Sequence, residues 1–184
     1  MRISHATMLA LSVSFLAFPA AAQESKAPAV EPLPGEEVIV TGTRAANRTV
    51  ADSPVPVDVI SSQALTTGGS GETNTVLNAL VPSFNFPRPS IADASDVIRP
   101  ATLRGLSPDQ TLVLVNGKRR HTSALLNING TVGRGSAAVD LNTISNLAID
   151  RIEVLRDGAA SQYGSDAIAG VINIRLKTAD HGGK

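Results

Sequence analysis

Acid–base, nucleophilic and metal chemistry all need side chains gathered at short, regular spacings, and this 184-residue chain offers few such gatherings. Its three histidines, His5, His121 and His181, are scattered, and none stands at helical or hairpin spacing from a second ligand, so no metal site is expected. Cysteine is absent, which removes disulfides, thiolate ligands and a cysteine nucleophile together. Gly130, Gly133 and Gly135 hint at a phosphate loop. However, Ala138 occupies the sixth position of the dinucleotide pattern, and no Lys-Ser or Lys-Thr pair follows a glycine run. There is no Gly-x-Ser-x-Gly elbow, and Ser70 and Ser136 sit in loop-like stretches without a paired histidine. Asp150, Glu153 and Asp157 are close in sequence, yet strand alternation sets Glu153 opposite Asp150, so they read as surface ion pairs or turn caps. Neither an enzyme nor a bound cofactor is expected.

What remains is suited to contact rather than to catalysis. Lys118, Arg119, Arg120 and His121 form the one basic cluster, which either meets an anionic ligand or is a solvated loop. Sixteen basic residues balance sixteen acidic ones, so no bulk field draws the chain to nucleic acid. The second contact candidate is Glu37-Val38-Ile39-Val40-Thr41-Gly42-Thr43-Arg44, a short β-prone segment with an acidic lead and a glycine stop. It is either the first strand of the domain or a strand held out to pair with the open sheet edge of a partner.

These segments need elements to position them. Residues 1–22 read as a secretory signal peptide: Arg2 supplies the positive region, residues 8–18 are an apolar run too short to span a bilayer, and Ala20, Ala21 and Ala22 give the small-residue cleavage pattern. Residues 23–36, with Pro28, Pro32 and Pro34, read as an extended linker. The folded body is expected over 50–177. Val55, Val57 and Val59 alternate as an edge strand, and residues 111–115 are a continuous apolar run typical of a strand covered on both faces.

Residues 149–156 and 171–177 complete four strands. Ile152 and Val154 take one face and Arg151 and Glu153 the other. Ile172, Ile174 and Leu176 point inward, with Asn173, Arg175 and Lys177 outward. A short helix capped by Thr73 or Asn74 carries Val76, Leu77 and Leu80 on one side and stops at Pro82. Residues 140–147 and 159–163 read as short helical turns, and 83–100 as irregular. The expected fold is α+β, a small mixed four-stranded sheet with short interspersed helices and long loops. With aromatic residues at 3%, one Tyr and no Trp, the chain lacks the aromatic girdles of a membrane β-barrel.

Four ordered stretches resemble one family. IDRIEVLRDGAASQYGSDAIAGVINIRLK, residues 149–177, is similar to the signature that closes the plug domain of TonB-dependent outer-membrane receptors. LRGLSPDQTLVLVNGKRR, residues 103–120, resembles the other plug motif, and SPVPVDVISSQAL, residues 53–65, the first plug strand. EVIVTG, residues 37–42, resembles the TonB box and lies where the family puts it, after a signal peptide and a linker. Ser145, Ala169 and Asp157 depart from the commoner family residues without touching this pattern.

The resemblance implies a periplasmic partner, TonB, captured by residues 37–42. It also implies a 22-stranded carboxy-terminal barrel around the plug and a scarce nutrient as ligand, whether an iron chelate, cobalamin or a carbohydrate. Arg104 and Arg156 match plug arginines that face carboxylates on the barrel wall; for Arg104 the alternative is a turn-stabilising, solvated arginine. The loops carrying Phe84, Phe86, Arg88, Arg119, Arg120 and His121 would project toward ligand. Residues 178–184 fall where the first barrel strand begins. The expectation is therefore a receptor gate in the outer membrane, present as a fragment or an interrupted frame; the alternative is a free-standing periplasmic module that binds a ligand or TonB.

Overall fold

The apolar alternations noted above become neighbouring strands. The structure is a computed structural model and describes residues 38–39, 41, 48–51, 53, 55–85, 97–128, 133–157 and 159–179. The signal-peptide and linker expectations lie outside the described residues, as do Glu37, Val40, Gly42, Phe86, Arg88 and most of the segment 178–184.

In chain order the elements are β1 (Val38–Ile39), β2 (Arg48–Thr49), β3 (Val57–Ser61), α1 (Ser62–Thr67), α2 (Thr73–Leu80), β4 (Phe84–Asn85), β5 (Thr102–Leu103), β6 (Thr111–Val115), β7 (Lys118–Arg119), β8 (Ile149–Leu155), α3 (Ala160–Tyr163) and β9 (Gly170–Leu176). The main sheet is mixed, in the order β3-β8-β9-β6-β7. Strand β8 runs antiparallel to β3 and β9, while β9 runs parallel to β6. Two short ribbons, β1-β2 and β4-β5, flank it.

The α+β architecture is the expected one, with a fifth strand added. Asn116 (φ 51°) and Gly117 (φ 78°) both adopt left-handed backbone, the geometry of the tightest hairpin turns. That turn folds Lys118 and Arg119 back onto β6, in register with Val115 and Leu114. Half of the basic cluster is therefore strand.

Period-two alternation divides the sheet into two apolar faces. Ile60, Val113, Ile152, Val154, Ile172 and Ile174 face a core closed by Leu65 of α1 and by Val76 and Leu77 of α2. Val57, Leu112, Leu114, Leu155 and Val171 face the opposite way, under Ala159 and Ala167. This double cover explains why 111–115 reads as an unbroken apolar run.

Several local expectations are corrected. Helix α2 has Glu72 at its N-cap with no side-chain cap bond; Thr73 and Asn74 lie inside the helix and are buried. Thr73, Leu77 and Val81 form the buried stripe at spacing four, which leaves Leu80 at its margin, 47% exposed. Helix α1 gave no apolar period; its signal is Ser61, whose hydroxyl accepts from the Ala64 amide at 3.3 Å as an N-cap. The turn expected at 140–147 resolves into two 3₁₀ turns, Leu141–Thr143 and Asn146–Ala148, capped by Asp140 and Ser145. Phe84 belongs to the core, 3% exposed, because β4 pairs with β5 and turns the ring inward; it is not a ligand-loop residue. Finally, Glu153 and Asn173 do not face solvent. Both are buried.

Candidate functional site

Glu153 and Asn173 lie directly opposite one another in the β8–β9 register, on the face that also carries Leu155 and Val171. A polar pair at the centre of a sheet face must be hydrated or covered by donors and acceptors. Here Thr41 covers it. The Thr41 amide donates to Glu153 Oε2 at 3.0 Å, and the Thr41 hydroxyl donates to the same oxygen at 2.5 Å. That hydroxyl also accepts from Asn173 Nδ2 at 3.0 Å. Arg151 Nε donates to Glu153 Oε1 at 3.0 Å, so donors meet both carboxylate oxygens. Asn173 Oδ1 in turn accepts from the Gly117 amide at 3.1 Å, which ties the site to the β6–β7 turn. Thr41 and Asn173 are each 1% exposed and Glu153 is 0% exposed. Bonds to an ionised acceptor are about twice as strong as neutral ones, so this is a firm attachment for one threonine.

The attached residue belongs to the β-prone segment 37–42. Immediately before it, β1 pairs antiparallel with β2, Val38 opposite Thr49 and Ile39 opposite Arg48. Among the described residues, β1 pairs with β2 alone. The segment thus combines a short strand with a residue fixed to the centre of the main sheet. Sequence reasoning found the segment but missed Glu153 and Asn173. The signal lay in their flanks: Ile152 and Val154, and Ile172 and Ile174, mark two adjacent central strands, and Leu155 and Val171 carry apolar surface onto the second face beside the polar pair.

The two singled-out arginines come together at the end of the sheet where β8 finishes. Arg104 has left-handed backbone (φ 56°), and its amide donates to Ser83 O at 2.7 Å. Its guanidinium donates to Ile168 O at 2.6 Å and stands 3.6 Å from Asp157 Oδ1. Arg156 Nε lies 2.9 Å from Asp58 Oδ2, a close ion pair rather than an aligned hydrogen bond. Asp58 is brought there by the β3–β8 register, which sets it opposite Val154. Both arginines are partly exposed and partnered within the chain by carboxylates: Asp157, read from the sequence as a surface ion pair or turn cap, and Asp58, which the sequence reading did not single out. Arg104 serves its turn directly, through the bonds to Ser83 and Ile168.

The basic cluster is divided. Arg119 pairs with Asp166 and donates to Tyr163 O at 2.6 Å. With Arg120, Asp109, Thr111 and Asp166 it lines a cleft of about 270 Å³ of mixed charge. Arg120 donates to Thr143 Oγ1 at 3.4 Å, and His121 is exposed beside a smaller hollow bounded by Asp140. Among the described residues no three His, Asp or Glu side chains gather around a point that could hold a metal.

Comparison with known proteins follows the same outline. Residues 49–171 match the family model of the TonB-dependent Receptor Plug Domain. The chain is 47% identical over 75 residues to the vitamin B12 transporter BtuB of Vibrio cholerae, which is 41% of this chain and 10% of that protein. It is 34% identical over 139 residues to the iron-regulated outer membrane virulence protein of the same species, 76% of this chain and 20% of that protein. Among solved structures, a variant of the ferric enterobactin receptor of Pseudomonas aeruginosa superposes with a TM-score of 0.52 at 27% identity, covering 68% of this chain and 18% of that one. The chain therefore spans between a tenth and a fifth of the length of these relatives.

Proposed function

Given that this chain belongs to the TonB-dependent receptor plug-domain family, we propose that it is the gate of an energy-coupled outer-membrane receptor, worked by TonB through residues 37–42. These relatives are transport receptors and not enzymes. The observation that carries the reading is the plug match over 49–171 with a β-prone segment ahead of it, whose strand β1 pairs, among the described residues, with β2 alone. An extended segment of this kind binds by adding its backbone to a partner's sheet, and side chains then refine the choice. A surrounding barrel supplies the channel, and the plug closes it until TonB acts. A plug suited to this is neutral, poor in aromatics and covered on both sheet faces, as this chain is.

The transported nutrient is proposed from the relatives' names as a ferric siderophore or cobalamin. Arg119, Arg120 and His121, on or just after β7, are the described residues offered to ligand from the loops; Phe86 and Arg88 are offered by position in sequence alone. Arg104 and Arg156 are proposed to exchange Asp157 and Asp58 for carboxylates on the barrel wall, an exchange that a guanidinium makes without changing its geometry.

Because the chain has no cysteine, a single introduced thiol is unambiguous. Ile39→Cys is expected to form a disulfide with a cysteine placed in the carboxy-terminal domain of TonB, and Thr66→Cys on the exposed face of α1 is expected not to. Equal yields at both positions would reject the docking role.

A further inference from the structure

An asparagine followed by glycine is open to spontaneous modification, because glycine has no side chain to shield its amide nitrogen. The chain has two such steps, Asn116–Gly117 and Asn129–Gly130, and the second lies outside the described residues. At the first, the Gly117 nitrogen attacks Asn116 Cγ once its proton has passed to hydroxide or water. The N–Cγ bond forms, the Cγ–Nδ2 bond breaks and ammonia leaves, which closes a five-membered imide. Water then opens one of the two imide C–N bonds. Attack at the side-chain carbonyl gives aspartate, and attack at the main-chain carbonyl gives isoaspartate.

Asn116 and Gly117 are exposed at the turn between β6 and β7, where water and hydroxide reach them. Yet the attacking and the attacked groups are both engaged. The Gly117 amide, whose proton must leave first, donates to Asn173 Oδ1 at 3.1 Å. Asn116 Oδ1, on the carboxamide to be attacked, accepts from the Leu176 amide at 3.0 Å. The Asn116 amide donates to Ile174 O at 2.9 Å, so backbone and side chain of this residue are both tied to β9. Asn173 is 1% exposed, and its Nδ2 donates to Thr41 Oγ1 at 3.0 Å, which leaves its oxygen for Gly117. We propose that Asn116–Gly117 is a spontaneous deamidation site that Asn173 holds closed. Modification passes through the molecules in which the Gly117 N–H has left Asn173 Oδ1, so its rate follows local opening of the turn.

The position gives the closure a purpose. Isoaspartate adds a methylene to the backbone of a two-residue turn whose register sets Lys118 opposite Val115 and Arg119 opposite Leu114. One modification therefore costs the β6–β7 pairing and misplaces Arg119, which reaches Asp166 and Tyr163 O from β7.

The test incubates the full chain in mildly alkaline buffer, folded and in guanidinium chloride. Mass spectrometry follows the peptide carrying Asn116, apart from the one carrying Asn129, for the replacement of NH2 by OH and for isoaspartate. Folded, Asn116 is expected to be modified at least about tenfold more slowly than in denaturant. Hydrogen exchange of the Gly117 amide is expected to be slowed by the same factor to within about threefold, since both events need the same bond to open. Asn173→Ala is expected to quicken modification of Asn116 about three- to tenfold, the effect of one lost hydrogen bond, with the β8 amides still exchanging slowly.

Modification of Asn116 as fast in the folded chain as in denaturant overturns the proposal. So does slow modification beside a Gly117 amide that exchanges freely, because the closure then lies elsewhere. An alanine variant that keeps its slow β8 amides and its original rate at Asn116 overturns the role of Asn173. If that variant loses its slow β8 amides, agreement or disagreement of the two slowings in the unaltered chain decides.

Discussion

Gly170→Ala is expected to destabilise the fold by about 3–5 kcal/mol and to lower the melting temperature of the full chain by at least about 10 °C. Gly170 opens β9 with φ 142°, a backbone conformation that side-chain-bearing residues rarely adopt. A Cβ there would lie 2.4 Å from the backbone oxygen of Leu155 and 2.8 Å from Leu103 Cδ1. Neither neighbour can yield. The first is part of the β8–β9 ladder, and the second is completely buried in the core. Backbone strain of this kind costs about 1–3 kcal/mol, and overpacking of a filled core adds about as much again. Gly71→Ala is the matching control: no heavy atom lies within 4 Å of a Cβ at that position, and its φ is outside the left-handed range. It is expected to change stability by no more than about 0.5 kcal/mol in either direction. Thermal or urea denaturation of the two variants side by side separates local geometry from a general intolerance of alanine.

The second large effect concerns docking. Val40→Pro is expected to weaken capture by TonB at least tenfold and to reduce the Ile39→Cys disulfide to background, because proline removes a backbone donor and stiffens the middle of the pairing strand. A lost strand hydrogen bond is worth about 0.5–1.5 kcal/mol, and the ring clash that accompanies it takes the total past the 1.4 kcal/mol that corresponds to tenfold. Val40→Ala, which keeps the amide, is expected to lose less than about threefold, since the pairing acts through the backbone and side chains contribute the smaller share. A proline variant that is captured as well as the unaltered chain would show that the segment does not bind as a strand.

The sheet was legible where apolar alternation is intrinsic to a strand. The cores of β3, β6, β8 and β9 follow from Val57, the 111–115 run, Ile152 with Val154, and Ile172 with Ile174. What escaped is what only the folded chain brings together. Glu153 looked like a surface carboxylate because the residue that covers it, Thr41, lies 112 positions earlier in the chain. Asn173 was assigned outward by the same alternation, correctly as to face and wrongly as to exposure, since the second face is itself covered.

The partner of Arg156 was hidden in the same way. Asp58 reaches it only through the antiparallel register that sets Val57 against Leu155. Phe84 failed for a different reason. The prolines after it suggested a loop, but two residues of pairing with β5 suffice to fix the ring in the core. Asn116 and Gly117 take left-handed backbone and make a tight turn, and the added strand β7 is its consequence. The candidate site was thus half visible: the docking segment can be read from its own residues, and its restraint cannot, because the restraint is a tertiary contact.

The most direct test of the account is amide hydrogen exchange of the full chain with and without the carboxy-terminal domain of TonB. Strand addition predicts slowed exchange concentrated in residues 37–42, with the amides of β8 and β9 unchanged. Slowed exchange elsewhere on the chain, with residues 37–42 left as they were, would contradict it.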